Sequence, residues 1–140
     1  MADRPTVELR GGPSYIRFEV SPPRAGVDDY MPTAIILDTG IFRGSFATST
    51  WTGEWLALCE ALAGLYHQVG QDTEARTGFS DEARINLTFK LVRLGHLDLL
   101  VEIRLHEQDT ELRFWISADQ TFLPLWLQAI NVALAQLCTP

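Results

Sequence analysis

The sequence is short of cysteine, short of positive charge and free of internal repeats. Its two cysteines, Cys59 and Cys138, lack metal-type spacing and are too few for a disulfide scaffold. Both fall in apolar stretches and read as small buried hydrophobes in a reducing compartment. Lysine and arginine total 11 against 18 aspartates and glutamates, a net charge of −7. No basic cluster offsets it. Affinity for nucleic acid comes largely from neutralising phosphates, so the balance argues against a nucleic-acid partner and for a basic one. No apolar run follows Met1-Ala2-Asp3-Arg4-Pro5, and a secretory leader is not expected. The chargeless stretch from Gln120 to Pro140 approaches the length of a bilayer span. Gln128, Asn131 and Gln136 interrupt it, and no Lys or Arg anchors flank it. The expectation is a cytoplasmic protein with no membrane partner.

What is present is average globular material. Hydrophobic residues make up 46% and charged residues 21% of 140 residues, enough for one domain with its own core. Ile16, Phe18 and Val20 alternate with Arg17 and Glu19, as in a half-buried strand. Ala34–Leu37 reads as a short strand entering the turn Asp38-Thr39-Gly40, and Phe42–Phe46 as its partner. Trp51, Trp55, Leu58, Leu62, Leu65 and Val69 then recur at helical spacing, predicting a helix over about 52–67 with Ser49, Thr50 or Thr52 as its N-cap. Period two returns in three runs centred on Leu87, Val101 and Phe114. A last helix follows Asp119 and Thr121, with Leu123, Leu127, Ile130, Leu134 and Leu137 along one face. The predicted fold is a single α+β domain over 1–140, with 1–13 as a candidate flexible arm. One antiparallel meander sheet carries both amphipathic helices on its apolar face. Trp115 and Leu100 fall on the opposite, outer face by parity.

Residues that could carry chemistry are few. Asp38-Thr39-Gly40 looks like the catalytic loop of aspartic proteases, which needs two carboxylates sharing a proton. Ile41 follows where that family has a small residue, two long helices do not belong in such a protease, and a turn explains the motif. His67, His96 and His106 show no ligand spacing. No phosphate loop, nucleophile elbow or activated thiol appears. The reading is therefore of a non-enzyme with no catalytic residues, metal or cofactor. Asp119-Gln120-Thr121 is read as a helix cap, with Gln120 a lesser binding candidate.

The chain nevertheless has a recognisable order. Asp38-Thr39-Gly40-Ile41-Phe42-Arg43-Gly44-Ser45-Phe46 precedes a Trp-rich helix, then comes Leu94-Gly95-His96, then Leu112-Arg113-Phe114 leading to Asp119-Gln120-Thr121 and an apolar helix. Over residues 34–138 this resembles a bacterial family of uncharacterised domains related to the wall-associated-protein (WapI-type) immunity proteins. The resemblance implies a cytoplasmic protein that neutralises a toxin domain by direct binding. A basic toxin would suit the net charge. Glu102, Glu107, Asp109 and Glu111 are the candidate contacts, with Trp115 as an aromatic anchor. The alternatives are a small regulatory or ligand-binding module, homodimeric through the chargeless last helix, and the aspartic-type hydrolase.

Overall fold

Alternating apolar and polar residues build eight strands, and two stretches of helical period close the two halves of the chain. The computed structural model describes residues 4–23 and 30–138; most of the predicted loop at 21–29 lies outside them. The order is β1 (Thr6–Gly11), β2 (Ser14–Val20), β3 (Tyr30–Asp38), β4 (Arg43–Trp51), α1 (Thr52–His67), β5 (Thr73–Phe79), β6 (Ala83–Leu91), β7 (His96–Leu105), β8 (Thr110–Asp119) and α2 (Phe122–Cys138). The strands form two antiparallel four-stranded sheets, β1-β2-β3-β4 and β5-β6-β7-β8.

This upholds α+β and corrects the single sheet. Period two reports which face of a strand is buried and says nothing of which strands share a sheet. Here α1 separates β4 from β5, and the two strands do not pair. The helices are not laid side by side on one sheet either. The first packs on β5 and on α2, while α2 packs on β1 and β8. The two sheets also meet directly where β1 and β2 approach β8. Gly11 marks the closest approach, since a Cβ there would overlap the main-chain oxygen of Ser117. Residues Thr6–Gly11, left in the candidate arm, are therefore a strand wedged between sheet and helix.

One core draws on both sheets and both helices. Leu87, Val101 and Phe114 form one cross-strand row of it and all are buried. Phe18, Trp55 and Phe79 stack with centroids 4.8–5.2 Å apart and tie β2, α1 and β5 together. The Trp55 indole N–H donates to Thr50 Oγ1 at 2.9 Å, and Thr50 and Thr33 hydroxyls lie 2.9 Å apart. Burying these polar atoms therefore leaves no bond unmade. The start of α1 differs from the predicted cap. Its first turn is held by Glu54, whose carboxylate accepts the Trp51 N–H at 2.9 Å and the Ser80 N–H at 3.0 Å. Trp51 belongs to the end of β4 and is half exposed. Trp126 and Ala133 bury on α2 beside Leu123 and Ile130. No helix among the described residues is long and apolar enough to cross a membrane.

Candidate functional site

The outer face of the second sheet carries many of the chain's charged side chains and the exposed aromatic Trp115. Arg76 on β5, Arg84 and Lys90 on β6, Arg104 on β7 and Arg113 on β8 all point there by register. They are five of the chain's 11 basic residues. Glu74, Asp98, Glu102, Glu111 and Asp119 share the face. It is thus balanced in charge within a chain of net charge −7.

The pairing across it is uneven. Arg76 and Lys90 both lean on Glu74, at 3.2 and 3.8 Å. Arg104 reaches Glu111 at 3.5 Å, and Arg113 reaches Glu102 only at 4.0 Å. Arg84 has no ion-pair partner among the described residues, and its cross-strand neighbour is Arg104. Like charges placed opposite one another destabilise a sheet. Arg84, Arg104 and Arg113 line a shallow basin of about 310 Å³ together with Asn86, Glu102 and Glu111. Trp115 lies one pleat along β8 from Arg113 on the same face. Its ring is 44% exposed, and the Lys90 ammonium sits 5.4 Å from its centroid. Leu100, directly opposite Trp115, is only 6% exposed. The face therefore offers guanidinium donors for anionic oxygens and one open ring for stacking.

The sequence-derived contacts divide between this face and a turn. Glu102, Glu111 and Trp115 lie on the sheet, while Glu107 and Asp109 occupy the β7–β8 turn, where Asp109 has φ +47°. Glu102 and Glu111 face arginines, so this is no uniformly acidic surface. The arginines are not among the sequence-derived contacts. Their parity was readable, but the register that puts Arg84 beside Arg104 was not.

The other candidates are structural. Asp38 Oδ1 accepts the Gly40 N–H at 2.7 Å, and its other oxygen takes the Arg43 guanidinium at 3.1 Å. Those donors hold its carboxyl below the usual carboxylate range. The motif is a β3–β4 hairpin turn, with Gly40 at φ +91°. Asp119 accepts both the N–H and the hydroxyl of Thr121 ahead of α2, and its carboxyl is likewise lowered. His96 sits 2.9 Å from Asp98. No group of His, Cys, Asp and Glu suited to a metal occurs among the described residues. Burial raises the Cys59 thiol, which suits a packing role better than a nucleophile. On the outer face of the first sheet, Arg10 and Arg17 flank the Tyr15 ring at 4.3 and 5.0 Å and share Glu8.

No family model matches the chain, and no curated protein does. Solved structures do share its fold. The plant transcriptional regulator PBF-2 superposes with a TM-score of 0.51 at 9% identity, over 98% of this chain and 84% of that one. WHY1 from Arabidopsis thaliana gives a TM-score of 0.51 at 12% identity, over 98% of this chain and 88% of that one. These likenesses overturn the reading of an immunity protein with a toxin partner, and with it the exclusion of nucleic acid. The physical error lay in averaging. A net charge of −7 conceals a sheet face on which arginines are concentrated and one stands unpaired.

Proposed function

We propose that this chain is a non-catalytic nucleic-acid-binding protein that takes a single strand across the outer face of its second sheet. The Arg84–Arg104 cross-strand pair carries the reading. Two arginines on facing strand positions, with Arg113 at the same basin, are relieved of their repulsion by an anion seated there. Trp115 supplies the stacking surface that a single strand, with its bases unpaired, can use. A flat sheet face does not enter a duplex groove as a helix does, so single strands fit better than duplex. The likeness to a plant transcriptional regulator supports the same class of partner. Chemistry on the bound strand is not part of the reading, and the sparse cysteines suit a reducing compartment such as the cytoplasm.

The test is fluorescence anisotropy with a labelled oligothymidylate of about twelve nucleotides, within the footprint of single-strand binders. Binding should weaken as salt rises from about 50 to 200 mM. Trp115→Ala should cost about 1–3 kcal/mol of affinity, the worth of one stacked base. A Kd above about 1 mM at the lower salt would remove the proposal.

A further inference from the structure

Three of the four sheet margins have cover from neighbouring elements: β1 and β8 face one another beside α2, and β5 lies under α1. The fourth margin, β4, has α1 only at the end where that helix begins. Natural edge strands are blunted by charge, proline, a bulge or shortness. From Gly44 to Trp51 this one has no charged residue and no proline, and its nine-residue register against β3 runs without a bulge.

The hairpin fixes which main-chain groups are free. Thr39 N–H donates to Phe42 O at 2.9 Å. Alternation then turns Gly44, Phe46 and Thr48 toward β3, and Ser45, Ala47 and Ser49 outward. Trp51 falls in the outward set, and its N–H is the one that Glu54 takes. Ser45 and Ala47 are exposed. The inward side of the same edge opens on two adjoining hollows. One, of about 270 Å³, is walled by Leu37, Phe42, Phe46, Ile103, Leu105 and Leu112. The other, of about 520 Å³, is bordered by Ala83, His106 and the carboxylates Glu82 and Glu107. Neither carboxylate has an ion-pair partner among the described residues.

We infer that the β4 edge binds an extended peptide as a fifth strand, with an aliphatic side chain in the apolar hollow and a basic one between Glu82 and Glu107. Antiparallel addition sets the order. The residue opposite Phe46 comes first and carries the cation, and the residue opposite Gly44, two positions later, carries the aliphatic group. Main-chain bonds from Ser45 and Ala47 give affinity, and the two hollows give selectivity. This does not rest on the nucleic-acid reading; the apolar hollow and the arginine basin adjoin at Ile103, Glu111 and Leu112.

The probe is the peptide acetyl-Gly-Thr-Ser-Arg-Thr-Leu-Thr-Ser-Gly-amide, followed by calorimetry and by amide exchange. Binding with a Kd below about 1 mM and slowed exchange at Ser45 and Ala47 are expected. Replacing the peptide's Arg by Glu should weaken binding at least tenfold, and Glu82→Lys with Glu107→Lys should restore that altered peptide. Ala47→Pro removes an outward N–H at an edge that tolerates proline and should abolish binding while thermal unfolding stays cooperative. Absence of binding, indifference to the charge swap, or unchanged binding by a folded Ala47→Pro variant would each overturn the inference. So would protection of Ser45 and Ala47 by oligothymidylate but not by the peptide. Should Ala47→Pro fail to fold, the charge swap alone decides.

Discussion

Replacing Arg84 by Gln should stabilise the fold and weaken its hold on a nucleic-acid strand, a pairing of effects that ordinary surface substitutions do not give. Arg84 and Arg104 are cross-strand partners, and two like charges roughly 6 Å apart repel by about 0.7 kcal/mol in water. Screening at moderate salt cuts that by about half, leaving a gain of about 0.3 kcal/mol that grows as salt is lowered and vanishes as it is raised. Urea unfolding of both proteins at low and high salt measures it. On the binding side, three phosphate contacts by Arg84, Arg104 and Arg113 give a slope of log K against log salt near about −2, or −0.7 each for a single strand. Losing one contact lowers the slope to about −1.4 and weakens binding about eightfold at about 50 mM salt. Anisotropy titrations at several salt concentrations read both values. A slope unchanged in Arg84→Gln would refute a phosphate at this basin. Lowered stability would refute the argument from like charges.

Three further outcomes probe the fold. Leu87→Ala, at a position fully buried in the central row, should cost about 2–5 kcal/mol in urea unfolding; a loss below about 1 kcal/mol would mean that row is not core. Gly11→Ala should destabilise by about 1–3 kcal/mol, because the added methyl meets the main chain of Ser117, which cannot yield as a flexible side chain could, as well as the Ile116 side chain; a neutral result would place β1 and β8 further apart. The pH dependence follows from Asp38 and Asp119, whose carboxyls are lowered chiefly by the Gly40 N–H and by the Thr121 hydroxyl respectively. A carboxyl lowered on folding contributes stability that is present above its unfolded value, about 4, and is lost as pH falls through the folded value. Melting temperature should therefore decline below about pH 5, less steeply in Asp38→Asn and Asp119→Asn than in the parent. Parallel curves for all three would dismiss both turns as contributors.

The sequence was most legible where burial alone decides structure. The first helix was predicted over the residues it occupies, since Trp55, Leu58, Leu62 and Leu65 all turn inward. The runs through Leu87, Val101 and Phe114 were equally plain. β5 gives little signal in the sequence because three of its four inward positions, Thr73, Ala75 and Thr77, are small or polar and only Phe79 is large. Their cover comes from α1, so local hydrophobicity carries no signal. β1 gives a weak signal: Val7 and Leu9 alternate with Glu8 and Arg10, but the run is short and precedes Gly12. At the candidate site, the outward parity of Trp115 and Glu102 could be read. The Arg84–Arg104 apposition could not, because it depends on how far β6 slides against β7. Two strands of known parity remain free to pair in several registers until turn and core fix one.

Every strand among the described residues pairs only with strands adjacent to it in sequence. For a protein so rich in sheet, that is an inexpensive way to lower the entropy lost in closing loops. Each hairpin closes over a short segment, so sheet formation proceeds by successive local steps. Long-range order is confined to one event, the docking of a meander and its helix onto a second meander and its helix. Neither half covers the whole of its own apolar face: α2 sets Trp126 against Phe89 but also packs on β1, and α1 packs on β5. Trp55 rests between Phe18 of the first and Phe79 of the second, and Glu54 bonds to a main-chain group in each. A chain built this way has fast parts and a slower, all-or-none assembly. Its vulnerable moment is the interval when two finished half-sheets stand apart with their inner faces wet.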